Sequence, residues 1–275
     1  MIDLHTHTTA SDGRLSPLGL VARAGDAGVT VLAVTDHDTV AGCGAVAAAC
    51  AASSIEFVPG IEISAVRDDG DVHILGYFVD AGSGALRAFL AEQRRERIHR
   101  LRAMVDRLRG HGIALDGEEI VRPAVEDETK SAGRPWIARA LVAKGYVASP
   151  DEAFDRWLER GRPGYVPRTS PTPADVIARI HEAGGVASLA HPALLEHDDW
   201  IPEFVAAGID ALEAYHSDHT PDDTHRYVEL ARTYRLRLSG GSDFHGDAHG
   251  PAHPGAVSLP LEEFERLKAR AGRSG

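Results

Sequence analysis

Val31-Leu32-Ala33-Val34-Thr35-Asp36-His37 decides the fold, because a short apolar run passes directly into an acid and an imidazole. Four apolar residues in succession read as a buried strand, and the polar pair follows where that strand ends. The same arrangement opens the chain in Ile2-Asp3-Leu4-His5-Thr6-His7. Helical patterns over Leu15–Ala27 and Thr39–Ala52 separate these strands from each other and from a third at Ile55–Ile63. A fourth strand is expected over Asp71–Phe78. Repeated strand–helix units predict an α/β protein with a parallel sheet, either a closed barrel or an open doubly wound one. Functional side chains of such barrels gather at the C-terminal ends of the strands. Polar donors recur at that position here, which favours the barrel.

After Asp80 the pattern changes. Leu86–Leu108 reads as a long amphipathic helix rich in Arg and Glu, followed by helices near Pro135–Lys144 and Pro150–Arg160. Three helices with no strand between them predict a helical insertion over residues 83–168, placed to cover the active site. Residues 1–82 and 169–275 then form the barrel. In its second part, strands are expected at Val186–Ala190, Ile209–Tyr215 and Leu236–Gly240. Helices are expected at Pro173–Ala183, Ile201–Ala207 and Asp222–Tyr234, with a last one from Pro260.

A chain of 275 residues can bury a substantial core. Its formal charge of −12 argues against a broad electropositive surface for duplex nucleic acid. No stretch approaches the roughly 20 apolar residues of a membrane span. The N-terminus shows no basic leader or apolar signal core, and a cytoplasmic location is expected. Cys43 and Cys50 lie in an Ala-rich helical stretch and read as small buried hydrophobes.

The 15 histidines are the informative residues. In strand order the donors are His5 and His7 with Asp12, then His37, Glu62, His73 and His191, and finally Asp243 and His245. Alternation with period two points both imidazoles of His5-Thr6-His7 to one side, and Asp243-Phe244-His245 repeats the arrangement. Six imidazoles and three carboxylates without a thiolate favour Mn, Fe or Zn in open catalytic geometry. Nine donors exceed the needs of one ion. With Glu62 bridging, two or three divalent ions are satisfied, and their positive charge suits a phosphate ester substrate.

These motifs resemble the PHP (polymerase and histidinol phosphatase) family of metal-dependent phosphoesterases. The resemblance rests on Asp3-Leu4-His5-Thr6-His7 with Ser11-Asp12-Gly13, on Val34-Thr35-Asp36-His37-Asp38, and on Gly60-Ile61-Glu62-Ile63-Ser64. His73-Ile74-Leu75-Gly76-Tyr77, Ala190-His191-Pro192 and Gly241-Ser242-Asp243-Phe244-His245 complete it. It implies a distorted (β/α)7 TIM-like barrel with a helical insertion. It also implies one ion on His5, His7, Glu62 and Asp243, a second on Glu62, His73 and His191, and a third on Asp12, His37 and His245. Gly133-Arg134-Pro135-Trp136 and Gly161-Arg162-Pro163-Gly164 are similar to nucleoside 3′,5′-bisphosphate phosphatases and 5′-3′ exoribonucleases of short oligonucleotides. That likeness points to Arg134 as a phosphate contact. Trp136 departs from the usual polar residue and is expected to pack rather than stack on a base.

The implied chemistry is phosphomonoester hydrolysis of a nucleotide by a hydroxide bridging two ions, with Arg134 on the phosphoryl group. His219 is a candidate acid or substrate contact. Asp3 and Asp36 are expected to orient imidazoles from behind. Competing readings are a histidinol-phosphate phosphatase with the same donors, an amidohydrolase-type metal hydrolase, and a non-catalytic nucleotide-binding domain. The amidohydrolase reading lacks a lysine at a strand end, since only Lys130, Lys144 and Lys268 occur.

Overall fold

The first and last strands meet through Asp3, and that contact closes the sheet. In the computed structural model, which describes residues 1–68, 70–168, 171–246, 250–251 and 253–272, seven strands follow one another in chain order around the sheet. They are β1 (Ile2–Asp3), β2 (Val31–Val34), β3 (Glu56–Arg67), β4 (Gly70–Tyr77), β5 (Val186–Leu189), β6 (Ala211–His216) and β7 (Arg237–Gly241). Leu4 N donates to Gly240 O and His7 N to Phe244 O, so β1 joins β7 and the sheet is a nearly closed barrel. Asp3 Oδ1 accepts from the backbone N–H groups of His5 and Ser242, while Oδ2 accepts from the Ser242 hydroxyl and from Gly255 N. A Cβ on Gly241 would stand 2.3 Å from His5 N, so the seam demands glycine there.

The expectation of a wholly parallel sheet is corrected at β4, which runs antiparallel to both β3 and β5. The turn between β3 and β4 is too short for the crossover that parallel strands require. The pairing continues to Arg67↔Gly70, so β3 runs four residues past its expected end at Ile63. The reversal still delivers His73 to the functional rim. An antiparallel strand begins at the end where its neighbours finish.

Helices α1 (Pro17–Asp26) and α2 (Cys43–Ala52) cover the first strands and bury Leu20, Val21, Val46 and Cys50 against Leu32. Each large side chain so buried contributes about 1.5–3 kcal/mol. Four helices, not three, separate β4 from the remainder of the barrel: α3 (Gly84–Gly110), α4 (Gly117–Glu126), α5 (Arg134–Ala143) and α6 (Pro150–Ala153). The last runs into a π-helical turn, Phe154–Leu158. Pro123 hid α4 from the helical pattern, since it removes one backbone donor. The helix nevertheless forms, capped by Asp116 Oδ1 on the N–H groups of Glu118 and Glu119. These helices enclose their own apolar core, including Met104, Leu108, Ile137, Leu141 and Leu158. The expected boundary at 168/169 adjoins residues 169–170, which lie outside the described residues.

The barrel then resumes with α7 (Pro173–Glu182), α8 (Pro192–Leu195), α9 (Ile201–Ala206), α10 (Pro221–Tyr234) and α11 (Leu261–Ala271). Capping boxes at Thr172/Asp175 and Thr220/Asp223 start α7 and α10. Gly241→Ala is expected to cost about 1–3 kcal/mol through crowding at the seam, read as a lowered denaturant midpoint. An unchanged midpoint would show that the seam gives way without cost.

Candidate metal centre

All nine donors expected from sequence converge on the rim where β1, β2, β3, β5, β6 and β7 end and β4 begins. Glu62 on β3 is the hub and is 1% exposed. Its Oε2 lies 3.4 Å from His5 Nε2, 3.3 Å from His7 Nε2 and 3.1 Å from His37 Nδ1. Its Oε1 lies 2.8 Å from His73 Nδ1 and 3.2 Å from His191 Nε2. Asp243 Oδ1 faces the first pair, 3.2 Å from His5 Nε2 and 3.1 Å from His7 Nε2. Asp12 faces the other side, with Oδ1 3.4 Å from His245 Nε2 and Oδ2 3.7 Å from His37 Nε2.

Whether this arrangement fits divalent ions is tested by its unpartnered atoms. His5 Nε2, both ring nitrogens of His7, His37 Nδ1, His216 Nε2 and Asp243 Oδ1 are buried without a hydrogen-bond partner. Each such atom costs about 1–3 kcal/mol unless something occupies its lone pair or proton. Four sets of three or four donors have ligand atoms within 4.8 Å of one another and could each hold an ion. They are His7/Asp12/His37/His245, His5/His216/Asp243, His5/His7/Glu62 and His37/Glu62/His73. Imidazole and carboxylate donors without thiolate suit Mn, Fe or Zn, so the residues fit.

Backbone strain accompanies the donors. Asp243 (φ 54°) and His191 (φ 29°) both hold left-handed conformations that non-glycine residues rarely adopt. Burial opposes charge throughout the cluster, yet neighbouring imidazoles hold Glu62, Asp243 and Asp12 well below the usual carboxylate range. Burial also works against protonation of His245, but Asp12 and Asp243 outweigh it and raise that imidazole to about 10. For His37 burial wins, and its pKa falls to about 3.

Two residues of the centre escaped the sequence reading. Glu213, on β6, is fully buried and its Oε1 accepts from His5 Nδ1 at 2.9 Å. Its Oε2 accepts from the backbone N–H of His191 at 2.7 Å. The first contact fixes the proton of His5 on Nδ1 and leaves Nε2 free toward Glu62 and Asp243. His216, at the end of β6, brings Nε2 to 3.5 Å from Asp243 Oδ2. Their shared strand end was the available signal, but a register shift between Glu213 and Tyr215 breaks its alternation.

The orienting role expected of Asp3 and Asp36 is corrected. Asp3 ties the barrel seam, and Asp36 accepts from Thr8 N, Thr8 Oγ1 and Ser11 Oγ, which folds the loop carrying Asp12. Short carboxylates next to the donors reach backbone and hydroxyl groups before they reach imidazoles. His219 donates from Nδ1 to Ala214 O, and its Nε2 accepts from Ala193 N. It therefore stands behind His216 with both nitrogens engaged. Arg134, first residue of α5, brings Nη2 to 3.1 Å from Asp71 Oδ2 and lines the cavity that opens over His37, His73 and His245. Trp136 donates from Nε1 to Ser11 O and packs on the core of the inserted helices.

A barrel rim crowded with imidazoles and carboxylates, opening beside arginines, defines a metal-dependent hydrolase of anionic esters. The chain belongs to the PHP-domain family, whose description matches residues 3–140, and it is a phosphoesterase. It is 38% identical over 250 residues to the 5′-3′ exoribonuclease Rnm of Salmonella typhimurium, covering 88% of this chain and 84% of that one. It is 35% identical over 254 residues to the 3′,5′-nucleoside bisphosphate phosphatase of Chromobacterium violaceum, covering 90% and 88%. A crystal structure from Bifidobacterium adolescentis, described as a candidate metal-dependent phosphoesterase, superposes with a TM-score of 0.88 at 31% identity, covering 98% and 95%. Among the described residues no helix is long and apolar enough to cross a membrane.

Two outcomes test the electrostatics. In metal-free protein, His245 stabilises the fold fully below the ordinary imidazole value of 6.5, and that contribution is lost as pH rises toward 10. His37 acts oppositely, because the native site refuses a proton that the unfolded chain takes up below 6.5. Melting temperature is therefore expected to decline on both sides of that pH, and His245→Asn is expected to flatten the alkaline limb. A variant with an unaltered alkaline slope would remove His245 from this account. Separately, Glu213→Gln is expected to weaken divalent-ion affinity by about 10–100-fold with the fold intact. Calorimetric titration giving wild-type affinity would show that Glu213 does not position His5.

Proposed function

We propose that the chain hydrolyses the phosphomonoester of a nucleotide, either a nucleoside 3′,5′-bisphosphate or a short 5′-phosphorylated oligonucleotide. The observation that carries this reading is a single cavity of about 190 Å³ shared by His37, His73 and His245 on one wall and Arg134 on another. The names of the Chromobacterium and Salmonella relatives support the nucleotide part of it.

His5, His7, Asp12, His37, Glu62, His73, His191, Asp243 and His245 are the proposed metal ligands, with His216 as a tenth donor beside Asp243. Ions bound there supply a water activated at neutral pH and offset the charge of the phosphoryl oxygens. Glu62 holds the set together by presenting both carboxylate oxygens to five imidazoles. Arg134 donates to the phosphoryl oxygens and offsets charge that grows as the ester bond breaks. His219 supports His216 from behind, since neither of its nitrogens is free to pass a proton. Residues 83–168 act as the helical insertion that roofs the cavity and brings Arg134 to it.

An amidohydrolase-type site would need a lysine between its ions. Lys268 instead bonds Glu56 at 2.6 Å, and Lys144 caps the far end of α5. The manganese-loaded protein is expected to prefer adenosine 3′,5′-bisphosphate or a short 5′-phosphorylated oligoribonucleotide over AMP and histidinol phosphate. Preference for histidinol phosphate would overturn the nucleotide assignment. Glu62→Gln is expected to lower kcat/KM by about 100-fold or more and to release most of the bound metal. Full metal stoichiometry in that variant, read by elemental analysis, would refute the bridging place of Glu62.

A further inference from the structure

The inserted helices also reach the loop between β1 and α1, which carries Asp12. That loop folds on itself through its N–H groups. Ala10 N donates to Thr8 Oγ1, and Ser11 N and Gly13 N both donate to Thr8 O. Its carbonyls then need donors from elsewhere, since backbone oxygens taken out of water are paired. Three in succession find them in the insertion. Ala10 O accepts from Ser131 N at 2.9 Å, Ser11 O from Trp136 Nε1 at 3.1 Å, and Asp12 O from Arg139 Nη1 at 3.0 Å. Trp136 and Arg139 are three residues apart on α5, hence on one face of that helix. A Cβ on Gly133 would meet Asp12 Oδ2 at 3.8 Å, so the start of α5 lies against the carboxylate as well.

The segment after His37 is held in the same manner. Asp38 O accepts from Arg94 Nη1 at 3.0 Å, and Thr39 Oγ1 donates to Thr129 O at 2.6 Å. Asp12 and His37 belong to one set of donors, His7/Asp12/His37/His245. Glu62 and His73, by contrast, stand within paired strands whose own ladder fixes them. A ligand must be held within about 0.5 Å of its productive place, and a loop without a strand beneath it needs outside support to do so.

We propose that Trp136 and Arg139 are positioning residues of the metal centre. They hold the Asp12 loop so that the ion of the His7/Asp12/His37/His245 set binds tightly only while α5 is seated on the barrel. The ions centred on Glu62 do not depend on that contact. The proposal rests on Asp12 being a metal ligand, as assigned above. It gives Trp136 a use that packing alone does not, because an indole N–H is a donor only and this one is spent on the carbonyl next to Asp12.

The test titrates manganese by calorimetry into chelator-treated protein and counts bound metal by elemental analysis. Trp136→Phe keeps an aromatic ring and removes the N–H. It is expected to weaken one ion about tenfold or more and to leave the others at wild-type affinity. Arg139→Met keeps the apolar stem, is expected to do the same, and covers the case in which the first variant fails to fold. Arg139→Lys, whose ammonium can still donate to Asp12 O, is expected to recover part of the loss. Trp157→Phe is the control, because its Nε1 is buried in the same helical core without a hydrogen-bond partner among the described residues. It is expected to change no affinity. Wild-type affinities in both Trp136→Phe and Arg139→Met would overturn the proposal, and so would equal weakening of every ion. In Asp12→Asn, which loses that ion outright, adding Trp136→Phe is expected to cost nothing further. An additional loss there would show that Trp136 acts by a route other than Asp12 and would overturn the proposal. Asp12→Asn with full stoichiometry and affinity would instead refute the ligand assignment, and the proposal with it.

Discussion

The carboxylate of Glu62 faces five imidazoles at 2.8–3.4 Å, deep in the barrel rim, and the surrounding architecture serves to keep it there. Few arrangements of side chains are less stable in isolation. The rings crowd one another, with His7 and His245 stacked at 4.1 Å between centroids, and several nitrogens find no hydrogen-bond partner. Such a cluster persists only because rigid strands converge on it and because the fold tolerates local cost where chemistry is to be done. The strained backbone at His191 and Asp243 belongs to the same concession. Glu213 relieves part of it by accepting the Nδ1–H of His5, which leaves the ring's Nε2 facing Glu62 and Asp243.

Much of this was legible in the sequence, because strand ends are marked by abrupt changes from apolar to polar residues. His5, His37 and His191 each follow a run of buried residues, so their common side of the barrel could be inferred from order alone. The direction of β4 could not. His73 carries no sign of whether its strand runs with or against its neighbours, and only the brevity of the turn before it argues for reversal. Glu213 and His216 were obscured by the irregular register of β6, and α4 by its internal proline. Asp3 and Asp36 looked like partners for imidazoles because they are adjacent in sequence. In space, backbone N–H groups and hydroxyls lie nearer to them.

Donors and arginines come from different parts of the chain. The strands and loops of the barrel supply the imidazoles and carboxylates. Arg97 and Arg100 stand on α3, Arg134 on α5, and Arg168 on the segment leading back to α7. A chain with net charge −12 therefore lines the cavity beside its donors with arginines from the inserted helices. Sign of charge over the whole surface says little about the ligand when the relevant field is local and enclosed.

The seam between β1 and β7 also joins the two halves of the donor cluster. His5 and His7 follow the first strand, whereas Asp243, which faces them, and His245, which faces Asp12, follow the seventh. Asp3, by bonding Ser242 and Gly255, keeps those two edges of the sheet together. Parting of the barrel at this one joint therefore dismantles the cluster even while every other strand pair stays intact.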